Sequence, residues 1–283
     1  MITHLLAGGL GNQLFQIYTT ISLSIKLGHS FCFPNNKKLG NENSGTVRNT
    51  YWDSFFVGLS SSLDEIKGDE IKQFTEKNHS YENINVGVIG SNNSIVLNGY
   101  FQSYKYFEEH QELISSMIGI NEHKKRIIDN HEFVSINNSV SMHFRIGDYK
   151  YYPDYHPILE LDYYRKSLYF VSNKLNETYL QVYYFCEEED VIQVTDMIKL
   201  LQIEFKNMTF IRISSNIPDW KQLLIMSLCE HNIIANSTFS LWSGYFNVNS
   251  NKIVCYPSIW FGKYLQNHNT NDMFPHSWTK ILL

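Results

Sequence analysis

Ser139-Val140-Ser141-Met142-His143-Phe144-Arg145-Ile146-Gly147-Asp148 opens the half of the chain whose pattern decides the fold. A short strand-like run, Ser139 to Phe144, breaks at a glycine turn and is followed by a helical pattern over Asp162 to Asn173. Outward from there the succession continues: strand Gln181 to Cys186, helix Glu188 to Leu201, strand Met208 to Ile213, helix Trp220 to Cys229, strand Asn232 to Ala235, helix Ser240 to Val248 and strand Lys252 to Tyr256 are expected. Strands alternating with helices predict a parallel sheet covered on both faces, with ligands outside the carboxyl ends of its strands. No period of about 20 to 50 residues recurs, so a solenoid is excluded.

Towards the N-terminus, a short apolar strand, a turn at Gly8-Gly9-Leu10-Gly11 and a helix through Phe15, Tyr18, Ile21, Leu23 and Ile25, ending near Gly28, form a second α/β unit. From Pro34 to Asn93 the sequence is more polar, with Leu63 to Thr75 its better amphipathic segment. Ser94 to Tyr100 reads as a strand, Phe107 to Ile118 as a helix, and Asn121 to Asn138 as a linker. The expected domains are 1–135 and 136–283.

A chain of 283 residues, 43% hydrophobic, 18% charged and 15% aromatic, builds a substantial core without staples, which excludes disorder and coiled coil. Its net charge of −5 argues against a whole-surface grip on nucleic acid or anionic membrane. Cys32, Cys186, Cys229 and Cys255 are scattered, which suits buried free thiols rather than a zinc site or disulfides. No run of about 18 apolar residues and no leader-like start is present, so a cytoplasmic protein without an integral membrane segment is expected.

Several segments fall where a parallel sheet puts its ligands. Gly9, Gly11, Asn12 and Gln13 lie between strand and helix, where glycines admit a ligand to the backbone and the helix N-terminus offers N–H groups to an anion; a tight turn capped by Asn12 is the plain structural alternative. No acidic residue precedes Glu42 and no Gly-Lys-Ser/Thr occurs, so neither a dinucleotide fingerprint nor a P-loop is present. His143 and Arg145 share a face at the end of a strand. An arginine fork there suits a diphosphate, or simply an ion pair with Asp148. Ser237, Thr238 and Phe239 join a strand to a helix and either cap it or bind phosphate. Glu187-Glu188-Glu189-Asp190 reads as the solvated acidic first turn of a helix in preference to a metal cluster. The histidines show no metalloprotease spacing and no Gly-x-Ser-x-Gly elbow occurs.

Taken in order, Gly8-Gly9-Leu10-Gly11-Asn12-Gln13-Leu14-Phe15-Gln16, Asn98-Gly99-Tyr100-Phe101-Gln102, His143-Phe144-Arg145-Ile146-Gly147-Asp148-Tyr149 and His231 to Trp242 resemble the motif set of the α-1,2-fucosyltransferases, glycosyltransferase family 11. Asp162-Tyr163-Tyr164, Phe185-Cys186-Glu187 and Pro257-Ser258-Ile259-Trp260 extend the resemblance over the whole chain. It implies an α/β fold of GT-B type, two Rossmann-like domains with GDP-β-L-fucose in the cleft between them. It also implies inverting transfer to a glycan acceptor without a cofactor or metal. By the same resemblance His143 meets the guanine or its ribose, Arg145 the β-phosphate, and Asn12 the fucose and diphosphate. Ser237, Thr238 and Phe239 lie beside the phosphates and ribose, and Tyr100 and Gln102 on the acceptor side. Asp148 is the first candidate for the base and His143 the second. Two positions depart from the family pattern: Ile146 stands where a second arginine is usual, and Gln222 where an aspartate is usual, with Asp219 one turn earlier. These departures leave two alternatives, a transferase of another GDP- or UDP-linked deoxysugar and a silent nucleotide- or glycan-binding module.

Overall fold

The computed structural model describes residues 1–40, 47–86, 92–130, 137–176 and 179–283. The chain divides into two compact units, Met1–His123 with His268–Pro275, and Lys124–Asn267 with His276–Leu283. The expected boundary at residue 135 falls outside the described residues. The observed division lies at His123, inside a helix, and residues 268–275 return to the first unit.

In the first unit, β1 (Ile2–His4) leads through the glycine turn into α1 (Leu10–Leu27). β2 (Lys38–Leu39) and β3 (Arg48–Asn49) form a small antiparallel pair. β4 (Glu70–Thr75) and β5 (Asn93–Asn98) follow, then α2 (Gln111–Ile118) and the first residues of α3 (Ile120–Asp129). The sheet order is β1-β5-β4, parallel throughout, with Ile2 opposite Ile95 and Lys72 opposite Ile95 from the other side. Ile2, Leu23, Ile95, Leu97 and Phe101 make its core. The sheet runs from an apolar strand at β1 to a polar edge at β4, whose Glu70, Lys72 and Gln73 are exposed, as an unpaired sheet edge requires.

Two expectations are corrected here. Of the amphipathic stretch Leu63 to Thr75, the second half is the edge strand β4, because Gly68 breaks the run and β5 offers hydrogen bonds to Glu70–Thr75. The expected linker from Asn121 contains the helix α3: Ile120, His123 and Ile127 recur at helical spacing and are all buried, a stripe hidden among Glu122, Lys125 and Arg126.

The second unit follows the expected alternation closely. Its elements are β6 (Ser139–His143), α4 (Leu161–Leu175), β7 (Gln181–Phe185), α5 (Val191–Glu204), β8 (Thr209–Arg212), α6 (Asp219–Leu228), β9 (His231–Ile233), α7 (Thr238–Phe246), β10 (Val254–Pro257) and β11 (Thr279–Ile281). All six strands are parallel, in the order β11-β10-β9-β6-β7-β8. From the other edge, with β6 as strand one, this is the doubly wound order 3-2-1-4-5-6. Val140, Met142, Val182, Ile233 and Cys255 fill the sheet's core, covered by Leu168 and Val171 of α4 and Val194 and Leu201 of α5. Ile146 joins this core at 2% exposure, the packing role that its apolar side chain and its offset from Arg145 anticipate. Two Rossmann-like α/β units on parallel sheets are what the expected fold class requires.

Candidate active site

In a doubly wound sheet the chain leaves β6 to one side and returns at β9 on the other, opening a crevice at the carboxyl ends of those two strands. His143 is the last residue of β6, and Phe144 still donates its N–H to Phe185 O at 2.9 Å. Arg145 comes next on the same side, and Gly147 then turns the chain at φ +28°. A Cβ at Gly147 would meet the movable Glu187 carboxylate at 2.8 to 2.9 Å, so it is the turn that favours glycine.

Arg145 is enclosed by anionic and aromatic groups. Its guanidinium bonds Asp148 and Glu187, and its Cζ lies 4.9 Å from the Tyr149 ring centroid. Asp190, 1% exposed, accepts the Gly147 N–H at 2.7 Å and the Lys150 ammonium at 2.5 Å. Glu188 bonds Arg212 at 2.5 Å. Glu187, Glu188 and Glu189 are exposed just ahead of α5, as expected, and Asp190 alone of the run is buried. Glu187 and Asp190 clasp the loop after β6, although Glu187, Glu189 and Asp190 also stand close enough together to hold a cation.

His143 is buried against Phe239, with ring centroids 5.6 Å apart, and its Nδ1 has no hydrogen-bond partner. Burial first, and the Arg145 charge second, lower its pKa to about 3, so the ring is neutral at physiological pH. Across the crevice, Ser237 caps α7 by accepting the Phe239 N–H at 3.3 Å, which is the capping alternative in place. Thr238 opens that helix, half-buried. Asn236 donates to Pro157 O at 2.8 Å, and its buried Oδ1 is a second unpartnered atom. Gln222 lies on α6 with its amide nitrogen donating to Ile217 O at 2.7 Å, and Asp219 accepts from the Trp220 N–H at 2.7 Å.

The candidates of the first unit gather at the carboxyl ends of β1 and β5. Gly8, at φ +80°, is the residue that turns the chain, since a Cβ there would strike the Asn12 side chain. Gly9 is the N-cap of α1, with open space where a Cβ would stand, while Gly11 is buried inside the helix. Asn12 Oδ1 accepts from Gln102 Nε2 at 3.0 Å. Gln13 is fully buried and donates to Gly8 O at 3.1 Å and Asn49 O at 2.9 Å. Gln16 donates to Gly99 O and accepts from Ala7 N, both at 3.0 Å, tying the two loops together. Glu76 accepts the N–H groups of Tyr100 at 2.7 Å and Phe101 at 3.0 Å, which fixes the loop that exposes Tyr100.

Glu76, the contact of Tyr149 with Arg145 and the pairing of Glu187 with Arg145 were not among the sequence expectations. The last had a legible signal, because Arg145 and Glu187 each stand two residues beyond strand partners His143 and Phe185. Within the second unit the arrangement offers a guanidinium fork, a neutral imidazole and a helix N-terminus around one crevice. That set suits an anionic ligand with a polar head.

Among the described residues no helix is long and apolar enough to cross a membrane. The model of the family described as Glycosyl transferase family 11 matches residues 61–281. Two Escherichia coli proteins are similar over almost their whole length: the O-antigen biosynthesis glycosyltransferase WbnK, 25% identical over 98% of this chain and 99% of its own, and an alpha-1,2-colitosyltransferase, 25% identical over 98% and 97%. Among solved structures, a glycosyl transferase family 9 protein of Veillonella parvula DSM 2008 matches all of this chain and 86% of its own at 10% identity and a TM-score of 0.48. The family match over most of the chain, with the ordered motifs at the strand ends, makes this protein a glycosyltransferase that belongs to glycosyl transferase family 11.

Proposed function

We propose that the enzyme moves L-fucose from GDP-β-L-fucose to a galactoside hydroxyl, inverting the anomeric centre to give an α-1,2 linkage, with no metal. The observation that carries this reading is the crevice between β6 and β9. There Arg145 stands beside the buried His143, whose Nδ1 lacks a partner, with the N-terminus of α7 opposite, a set that suits an anionic ligand with a polar head. Arg145, with the N–H groups around Ser237, Thr238 and Phe239, binds the diphosphate and offsets charge as it leaves. His143 meets the nucleoside as a neutral donor or acceptor, and Gln222 lies towards the base. Asn12, with the N–H groups at Gly9 and Gly11, serves the sugar and diphosphate; Gln13 braces that turn; Tyr100 and Gln102 face the acceptor.

In the reaction the acceptor oxygen bonds to C1 of the sugar as the bond from C1 to the phosphate oxygen breaks, and GDP leaves with the electron pair. The hydroxyl proton goes to a carboxylate. Asp148, a half-exposed carboxylate beside Arg145, is the first candidate for that role and the buried His143 the second. A second reading, transfer of another deoxysugar such as colitose, is favoured by the colitosyltransferase relative. A donor panel with simple β-galactosides, followed by mass spectrometry of the products, separates the two. Fucosylated product from GDP-fucose supports the first, a product from GDP-colitose alone supports the second, and nucleotide binding without turnover of any donor overturns both.

A further inference from the structure

Tyr149 ends the motif that starts at His143, and three contacts hold it. The Arg145 guanidinium lies over its ring at 4.9 Å. His156 stacks on it, with centroids 4.6 Å apart and an interplanar angle of 18°. Its hydroxyl donates to Asn236 O at 3.0 Å, and burial raises its pKa, so the phenol keeps its proton for that bond. An aromatic ring beside a guanidinium restricts where it can lie, while its remaining N–H groups still reach oxygen ligands. In this structure those ligands are the carboxylates of Asp148 and Glu187. The same ring links the loop after β6 to the loop after β9, the two sides of the crevice.

We propose that Tyr149 is the positioning residue of Arg145. Its ring fixes the guanidinium so that the N–H edge meets the terminal phosphate of a nucleoside diphosphate, and its hydroxyl holds the β6 loop in register with the β9 loop. This rests on the reading of Arg145 as the diphosphate ligand. GMP lacks the phosphate that Arg145 would hold, so the ratio of GDP to GMP affinity reports the positioning directly, whereas a merely structural defect weakens both alike.

The test is calorimetric titration of GDP and GMP into the wild type, Tyr149→Phe, Tyr149→Leu and Arg145→Lys, with the melting temperature of each. Tyr149→Leu is expected to cut the preference for GDP by about tenfold with GMP affinity little changed. Tyr149→Phe, which keeps the ring, is expected to retain most of the preference. Tyr149→Met replaces the leucine variant if that one does not fold. A folded Tyr149→Leu or Tyr149→Met protein with the full preference overturns the proposal, and so does a Tyr149→Phe protein that loses as much as either. If Arg145→Lys itself keeps the full preference, the diphosphate reading of Arg145 falls. If Arg145→Lys loses the preference and Tyr149→Leu keeps it, only the positioning role falls.

Discussion

Glu187 bonds Arg145 because parallel strands β6 and β7 run in register, His143 opposite Phe185, and the next same-side residue of each chain lies two positions further on. The arginine proposed to hold a diphosphate thus already carries a half-exposed carboxylate, with Asp148 on its other nitrogen. A diphosphate competes with both carboxylates for the guanidinium. Removing the more exposed one should help: Glu187→Gln is expected to tighten GDP binding about two- to fivefold, the scale of an exposed ion pair. Calorimetric titration decides it, and weaker binding in Glu187→Gln would make Glu187 a ligand of the nucleotide instead of its competitor.

Arg145→Lys keeps the charge and loses the fork. An ammonium cannot bond two oxygens of a diphosphate in one plane, and turnover should fall by about 10²-fold or more with the melting temperature held. Near-normal kcat in a folded variant would remove Arg145 from the chemistry.

How much of the molecule was legible in the sequence depends on where tertiary contacts outweigh local pattern. The second unit was readable almost element by element, because its strands are buried on both faces and read as apolar runs between helical repeats. The first unit was less so. β4 is an exposed edge whose apolar residues are only Ile71 and Phe74, and α3 hides four buried residues, Lys124 among them, in a charged run. At the site, types and positions were legible at His143, Arg145 and Ser237, but partnerships were not. That Gln13 faces Gly8 O and Asn49 O, or that Gln222 turns its nitrogen to Ile217, depends on side-chain directions that spacing does not encode.

His143 and His4 make stability depend on pH on the acid side. Burial, with the Arg145 charge behind it, holds His143 at about 3, and burial holds His4 at about 3. An imidazole in the unfolded chain titrates near about 6.5. Between those values the unfolded state takes up protons that the folded state refuses, so stability is full above about pH 6.5 and falls as pH drops towards 3. At about pH 5 each histidine costs about 2 kcal/mol. Urea unfolding near neutral pH and near pH 5 should show His143→Gln recovering about that much of the wild-type loss. Identical losses in both proteins would mean that His143 is not held neutral.

Transfer should survive chelation. The proposed leaving-group stabilisation comes from Arg145 and the α7 N-terminus, so no cation is asked to do it. Glu187 and Asp190 are meanwhile engaged by Arg145, the Gly147 N–H and Lys150. Activity lost in EDTA and restored by Mn²⁺ or Mg²⁺ would instead assign the cluster of Glu187, Glu189 and Asp190 to a metal.

In the proposed function the base is read from α6. Guanine presents two neighbouring donors, N1–H and N2–H, and a carboxylate accepts both, whereas Gln222 has one carbonyl oxygen and commits its nitrogen to Ile217 O. GDP at about 100 times its Kd should stabilise the protein by about 2.7 kcal/mol, and UDP at the same concentration by much less. Gln222→Asp should widen that gap by restoring a second acceptor, while lowering the melting temperature slightly because the bond to Ile217 O is lost and two acceptors then face each other. Thermal shifts with both nucleotides on both proteins measure each effect. Equal shifts with GDP and UDP in the wild type would defeat the guanine assignment and leave the family membership untouched. Should Asp219 be the true partner of the base, Asp219→Asn would abolish the preference and Gln222→Asp would change only stability.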